Sequence, residues 1–265
     1  METNKPTRDI VMRRFQPELI GFAPLYNERK YIEGWWKNIT TFCSTVWAIY
    51  DPRSNDGTNE WLLQKAEETK NEEIKLHLYA QDITLGDSTK YIKGTQKVLT
   101  FICNVNEWMH RYVPEGKWMM WLPADERFDP RDREMIWSAL AIGDNEGADC
   151  MRHEFVDAVI DDQHRFAYER IPHFRLNQKR IYRRTRESHF NEGAHANERG
   201  WNFMMETAFI LYHFGFLKNK DTPWWHENEP GCSTEVVSWL PEEKRYIEFE
   251  NPFKDWVSGE LKDDL

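Results

Sequence analysis

The chain has 265 residues, enough for one large domain with a substantial core, or for one domain with an appendage. Its net charge of −10 argues against indiscriminate binding to nucleic acids or acidic membranes. Four widely spaced cysteines without a CxxC pair exclude a zinc-ligand pattern and a dense disulfide framework. No stretch approaches 18 apolar residues and the first residues contain no apolar leader, so we predict no membrane span and a cytoplasmic location.

The first half of the sequence alternates predicted strands and helices. Apolar or alternating runs predict strands at Glu18–Leu25, Thr45–Tyr50, Ile74–Tyr79 and Trp118–Leu122. Helical periodicity lies between them, and Asp129-Pro130 predicts the start of a further helix. This β-α-β-α-β-α-β-α order predicts an α/β, Rossmann-like fold with a mixed, mostly parallel central sheet.

After Gly147 the pattern changes to short β-rich segments, with a late apolar strand at Thr207–Phe214. The tail is rich in Trp, Pro and Glu, and we expect one or two short helices near Ser233–Glu250. The predicted organisation is a lead-in over 1–17, a nucleotide-binding half over 18–147, an acceptor half over 148–216 and an accessory segment over 217–265.

Carboxylates follow three of the predicted strands. Glu28 comes after the first, Asp51 after the second, and Asp125-Glu126 after the strand at Trp118–Leu122. The carboxyl ends of parallel strands meet at one edge of a sheet, where ligands of open α/β folds bind. Two interpretations remain open: a divalent-metal and diphosphate site, or an acidic turn after a core strand.

Three motifs resemble those of family 2 glycosyltransferases, in the same order along the chain. Pro24–Glu28 resembles the Pro-x-Tyr-Asn-Glu after the first strand of the family, and Asp51–Thr58 resembles its Asp-x-x-Ser-x-Asp-Gly-Thr. Pro123–Arg127 resembles its Asp-Ala-Asp-Glu-Arg. The second half is similar to the subgroup that decorates lipopolysaccharide core, through Arg180–Arg184, Glu192–Glu198 and His213-Phe214.

The resemblance implies a GT-A fold and an inverting, metal-dependent transfer from a nucleotide-diphospho-sugar, with a UDP-sugar as the expected donor, to an acceptor hydroxyl. It implies Mn²⁺ or Mg²⁺ held by Asp125 and His213. The implied donor-binding residues are Pro24, Tyr26, Glu28, Asp51, Lys97, Ala124 and Asp125. The family has an aspartate where this chain has Pro123, so the metal site lacks one usual carboxylate.

An inverting displacement needs a carboxylate base on the acceptor side. Glu192 is the first candidate, Glu198 the second, and Glu206 a further one. Asp56 is expected to cap the helix that follows it. Trp121, Trp224 and Trp225 are candidates for stacking on a sugar, although a core position is the better expectation for each.

A basic segment stands out from the acidic chain. Arg165–Arg186 contains eight Lys or Arg residues and one acid, Glu169. It is either a strand with one solvated basic face or a binding surface for an anionic acceptor. The predicted anion contacts are Arg175, Lys179, Arg180, Arg183, Arg184 and Arg186. A saccharide or phosphorylated glycan is the expected acceptor; the alternatives are DNA with a hydroxymethylated base and a non-catalytic nucleotide-sugar-binding module.

Overall fold

The first four strands of the fold run parallel to one another and alternate with helices. In the computed structural model, which describes residues 18–81, 95–160, 166–169, 178–190, 200–213 and 246–248, this half begins with β1 at Leu19–Leu25. The elements that follow are α1 (Ile32–Phe42), β2 (Thr45–Tyr50), α2 (Thr58–Glu68), β3 (Lys75–Ala80), α3 (Thr95–Tyr112) and β4 (Trp118–Trp121). Each of the four strands agrees with its prediction to within one residue at either end, and helices lie between the strands as predicted.

In the second half, the described residues form six strands and one α-helix. They are β5 (Glu126–Phe128), a 3-10 turn (Pro130–Asp132), α4 (Arg133–Glu146), β6 (Cys150–Ile160), β7 (Phe166–Glu169), β8 (Gln178–Arg183), β9 (Met204–His213) and β10 (Tyr246–Glu248). As predicted, the Asp129 side chain accepts a hydrogen bond from the Arg131 backbone, with Pro130 next to it. The helices expected in the tail do not extend over Tyr246–Glu248, which pairs antiparallel with β7.

Eight strands form the main path of the sheet, in the order β10-β7-β6-β8-β4-β1-β2-β3. β4, β1, β2 and β3 are parallel, and β8 joins β4 in the antiparallel direction. β9 runs parallel to β6 and antiparallel to β5. The predicted α/β fold with a mixed central sheet is confirmed, with its parallel strands concentrated in the N-terminal half.

Helix α1 packs closely against β1. It buries Ile32, Trp35 and Ile39, which recur at helical spacing. Gly21 permits the close approach, because a Cβ at this position would lie 2.7 Å from the Ile39 side chain. This contact fixes the last turns of α1 against the first half of β1.

Two clusters of buried apolar side chains form the core, one with α1 and α4 and the other with α3. Trp35, Trp108, Trp118 and Trp121 are all buried, so at least these four tryptophans serve packing, as expected for Trp121. No described helix combines the length and the apolar character needed to cross a bilayer.

Candidate functional site

The order of the strands changes direction between β1 and β4. From β1 the chain moves to β2 and β3 on one side, whereas β4 lies on the other side of β1. Helices that connect strands in opposite directions leave a crevice at such a point, and open α/β sheets bind ligands there. Tyr26–Glu28 and Pro123–Asp125 follow these two strands.

The loops after β1 and β2 are joined by hydrogen bonds. Asn27 adopts a positive φ of 54°, a conformation that asparagine tolerates better than most residues. Its backbone N–H donates to Ser54 Oγ over 3.2 Å, and its side-chain oxygen accepts from the Asn55 backbone at 3.0 Å. The Glu28 N–H donates to Thr58 Oγ1 at 2.8 Å. The first two predicted motifs therefore form one structural unit.

The prediction that Asp56 caps the helix after it is wrong, because Gly57 is the N-cap of α2, and Asp56 instead holds the loop before the helix. Its carboxylate accepts from the backbone N–H of Thr58 at 3.0 Å and from that of Arg29 at 2.9 Å. Burial alone would raise the pKa of Asp56, but the hydrogen bonds from Thr58 and Arg29 lower it below the usual value. The carboxylate is thus held ionised by the loop itself.

Asp51 is buried at the end of β2 and already engaged. Both its oxygens accept from the Arg53 guanidinium, over distances from 2.5 to 3.2 Å, and Oδ1 also accepts from the Arg53 backbone. The Arg53 side chain is 47% exposed, whereas that of Asp51 is 6% exposed. A ligand that hydrogen-bonds to Asp51 must therefore share the carboxylate with Arg53 or displace it.

Hydrogen bonds from the Arg127 side chain hold the turn that carries Asp125. This fully buried guanidinium donates to the carbonyls of Ala124 and Glu126 at 2.5 and 2.8 Å, and to that of Tyr31 at 3.0 Å. Trp35 Nε1 donates to the Leu122 carbonyl at 2.8 Å. The turn is therefore fastened to α1 and its preceding loop.

Glu126 fixes the same turn from the other side. Its carboxylate accepts two hydrogen bonds of 2.6 Å from Arg180 of β8, and both side chains are at most 5% exposed. Such a bidentate pair has a defined geometry. Glu126 thus orients the turn, and Arg180 is not available for the predicted contact with an anionic acceptor.

Asp125 lies between these two anchors and is partly exposed. The register of β5 and β9 places the backbone of His213 opposite Glu126, the residue after Asp125. The two predicted metal ligands therefore lie on neighbouring segments. Among the described residues, no group of three or more His, Cys, Asp or Glu side chains is arranged to hold a metal ion.

His153 lies behind the turn without a hydrogen-bond partner on either ring nitrogen in the described structure. It is 1% exposed and packs between the rings of Phe128 and Phe209, at 4.9 and 5.7 Å. Burial, and then the positive charge of Arg180, lower the pKa of His153 well below its usual value. The imidazole is therefore neutral, and its unpaired nitrogens destabilise the fold.

Replacing His153 with leucine is expected to stabilise the protein by about 1 kcal/mol at neutral pH, because an unsatisfied polar group is removed.

The substitution should also change the pH dependence of stability. Below the unfolded-state pKa of about 6.5, His153 binds a proton in the unfolded chain but not in the folded chain. The wild-type protein therefore loses stability as pH falls below that value, and the variant should lose less. Urea unfolding at pH 5.0, 6.0 and 7.5 measures both effects, with His153→Gln as the polar control; a destabilised leucine variant would contradict the interpretation.

Three predicted site residues cannot be placed. Lys97 belongs to α3, but its side chain is not described, and Glu192 and Glu198 lie outside the described residues. Glu206 is described on β9, where it pairs with Arg152 at 3.1 Å and is 70% exposed. The roles of these residues stay predictions.

The described part of the basic segment does not form one face. Arg183 and Arg184 lie at the far end of β8, since Arg183 pairs with Trp118 at the start of β4. Arg186 is exposed in the turn beyond them, and Arg175 lies outside the described residues. β8 runs antiparallel to β4, so Arg180 lies near the carboxyl end of β4 and Arg183 lies near its amino end.

Comparisons with known proteins leave the family unassigned. No family model matches the sequence, and no curated protein matches it. A solved structure of UDP-glucose pyrophosphorylase complexed with UDP-glucose is similar with a TM-score of 0.31 and 10% identity, over 54% of this chain. The chain spans 58% of the length of that enzyme. A similarity at this level indicates neither family nor function.

Proposed function

We propose that the protein is an inverting, metal-assisted glycosyltransferase that moves a sugar from a UDP-linked donor to a hydroxyl of a saccharide or phosphorylated glycan. The supporting observation is the crevice between β1 and β4, where the Asp125 turn is held rigidly beside the joined loops after β1 and β2. A rigid carboxylate at such a crevice suits a nucleotide diphosphate.

Each part of the crevice has a proposed partner on the donor. Asp51 and Glu28 accept hydrogen bonds from ribose hydroxyls or the uracil N–H, with Arg53 sharing or leaving Asp51. The backbone at Pro24 and Tyr26 contacts the base, Ala124 lines the turn, and Lys97 reaches the phosphates. These assignments follow the order of the motifs.

We assign the divalent cation to Asp125 and His213, whose backbone segments are adjacent, and the donor phosphates and water would complete its ligands. An imidazole among the ligands favours Mn²⁺ over Mg²⁺. When bound, the ion supplies positive charge against the leaving diphosphate. Because only Asp125 comes from the turn, the binding of the ion should depend strongly on this residue.

The transfer itself is a single displacement. The acceptor oxygen forms a bond to the anomeric carbon, while the bond from that carbon to the phosphate oxygen breaks and the nucleoside diphosphate leaves. The acceptor proton passes to a carboxylate base, for which Glu192 is proposed first and Glu198 second. Inversion at the anomeric carbon follows from attack opposite the leaving group.

The proposal is tested by titrating a panel of nucleotide sugars into the full-length protein with Mn²⁺, by calorimetry, and by measuring release of the nucleoside diphosphate. We expect binding of a UDP-sugar and slow hydrolysis of it. Replacement of the base, Glu192→Gln or Glu198→Gln, should abolish transfer and keep donor affinity, whereas the control Glu146→Gln, an exposed position at the end of α4, should retain both. No binding of any nucleotide sugar would overturn the proposal.

A second candidate is a module that binds the nucleotide sugar without turnover. Pro123 favours it, because this residue stands where the family has a carboxylate, and the described residues contain no cluster of three metal-ligating side chains. Normal donor affinity without turnover, unaffected by both glutamate replacements, would select this candidate.

A further inference from the structure

A cluster of basic groups lies beside the amino end of β4, and the proposed transfer does not use it. It consists of Arg184, His110 and His189, hereafter the basic cluster. The backbone of Arg184 is fixed beside the start of β4, where its N–H donates to the Lys117 carbonyl at 2.8 Å and its carbonyl accepts from Gly116 at 2.7 Å. Asp125 follows the opposite end of β4, so the two sites are separate.

Arg184 is a buried cation with too few hydrogen-bond acceptors. It is 7% exposed, and its Nε and Nη1 atoms are buried without a partner. Its Nη2 lies 2.8 Å from His110 Nδ1. Because a guanidinium can only donate, Nδ1 accepts, and the neutral His110 ring carries its proton on Nε2. Buried donors without acceptors are rare and costly, so each calls for a physical explanation.

The surroundings of Arg184 are positive. Burial, and then the charges of Arg184 and His189, lower the pKa of His110. The Glu115 carboxylate acts on Arg184 at longer range, and none of the described residues provides a carboxylate that hydrogen-bonds to the guanidinium. Both histidines are exposed. The cluster therefore combines buried donors with two donors at the surface, and lacks a compensating negative charge in contact with them.

We propose that the basic cluster binds a phosphate group. A phosphate offers acceptors to the guanidinium of Arg184, to His110 Nε2 and to His189 Nδ1, since His189 Nε2 faces the amide nitrogen of Asn106. Its charge compensates the buried Arg184 cation. Nε and Nη1 are buried in this conformation, whereas Nη2 contacts the exposed His110 ring. The phosphate is therefore proposed to reach the guanidinium first at Nη2, in place of His110 Nδ1. The proposal is independent of the proposed glycosyl transfer.

Thermal unfolding of the full chain in inorganic phosphate, compared with sodium chloride at equal ionic strength, tests this site. A ligand that binds only the folded state raises Tm in a saturable manner. Arg184→Gln should weaken phosphate binding about tenfold or more, the loss expected for a charge-assisted hydrogen bond. The double variant His110→Ala/His189→Ala should also weaken it, and it keeps the test valid if the arginine variant does not fold.

The matched control is Arg111→Gln, which removes the same charge from an exposed residue next to His110 and should leave the affinity unchanged. Methyl phosphate is the second ligand: saturation by both compounds assigns the site to a phosphate monoester, and saturation by inorganic phosphate alone to the free anion. An equal Tm rise in chloride, or an equal loss of affinity in Arg111→Gln and Arg184→Gln, overturns the proposal.

Discussion

Replacing Asp125 with asparagine is expected to reduce donor hydrolysis and sugar transfer by roughly 10²–10³-fold, the usual loss when one electrostatic contact to a developing charge is removed. The side chain keeps its size, and the turn stays held by Arg127 and by the Glu126–Arg180 pair, so the fold should not change. Release of the nucleoside diphosphate from a UDP-sugar, measured across Mn²⁺ concentrations, gives both the rate and the metal dependence.

Glu146→Gln is the matched control for this substitution, since it removes an exposed carboxylate from the end of α4. It should leave turnover and metal dependence unchanged. Full activity of Asp125→Asn with unaltered metal dependence would show that the metal is not held by this turn.

Arg180→Met is expected to destabilise the protein by about 3–5 kcal/mol, because it leaves the Glu126 carboxylate buried without its partner. Urea unfolding measures this loss. The same variant should lower donor affinity, since the turn that carries Asp125 is no longer fixed from the side of β8.

The double variant Glu126→Leu/Arg180→Met separates charge burial from packing. Replacing both partners of a buried pair by apolar residues is often neutral for stability, so the double variant should recover much of the lost free energy. Arg152→Met, which breaks the half-exposed pair with Glu206, should cost at most about 1 kcal/mol. A loss in Arg180→Met as small as that control would contradict the structural role of the pair.

Local patterns in the sequence were sufficient to predict the parallel half of the fold. The bounds of Thr45–Tyr50 were predicted correctly, because a short apolar run of β-forming residues that ends at Asp51-Pro52 is typical of a strand and not of a helix. β5 was missed: Glu126-Arg127-Phe128 has charged residues where a strand would normally be apolar, and it forms a strand only because β9 pairs with it. Pairing between residues so distant in the chain leaves no local signal.

The same limit applies to the site. The positions of Glu28, Asp51 and Asp125 after their strands followed from the predicted elements, and the structure brings these three loops to one edge. The pairing of Glu126 with Arg180 could not be predicted from the sequence, because Arg180 lies in an alternating basic segment that is typical of a solvated strand. His153 carried no signal, since a single histidine in a β-rich run is ordinary.

The antiparallel insertion of β8 between β4 and β6 affects how the protein is made. The ribosome delivers β4 well before β8, and until then the Trp-Met-Met-Trp strand has one edge without its final partner. Exposed apolar strand edges promote association between nascent chains. A translation product that stops before β8 should therefore aggregate, and the capacity to bind donor should arise only late in synthesis, when Arg180 reaches Glu126.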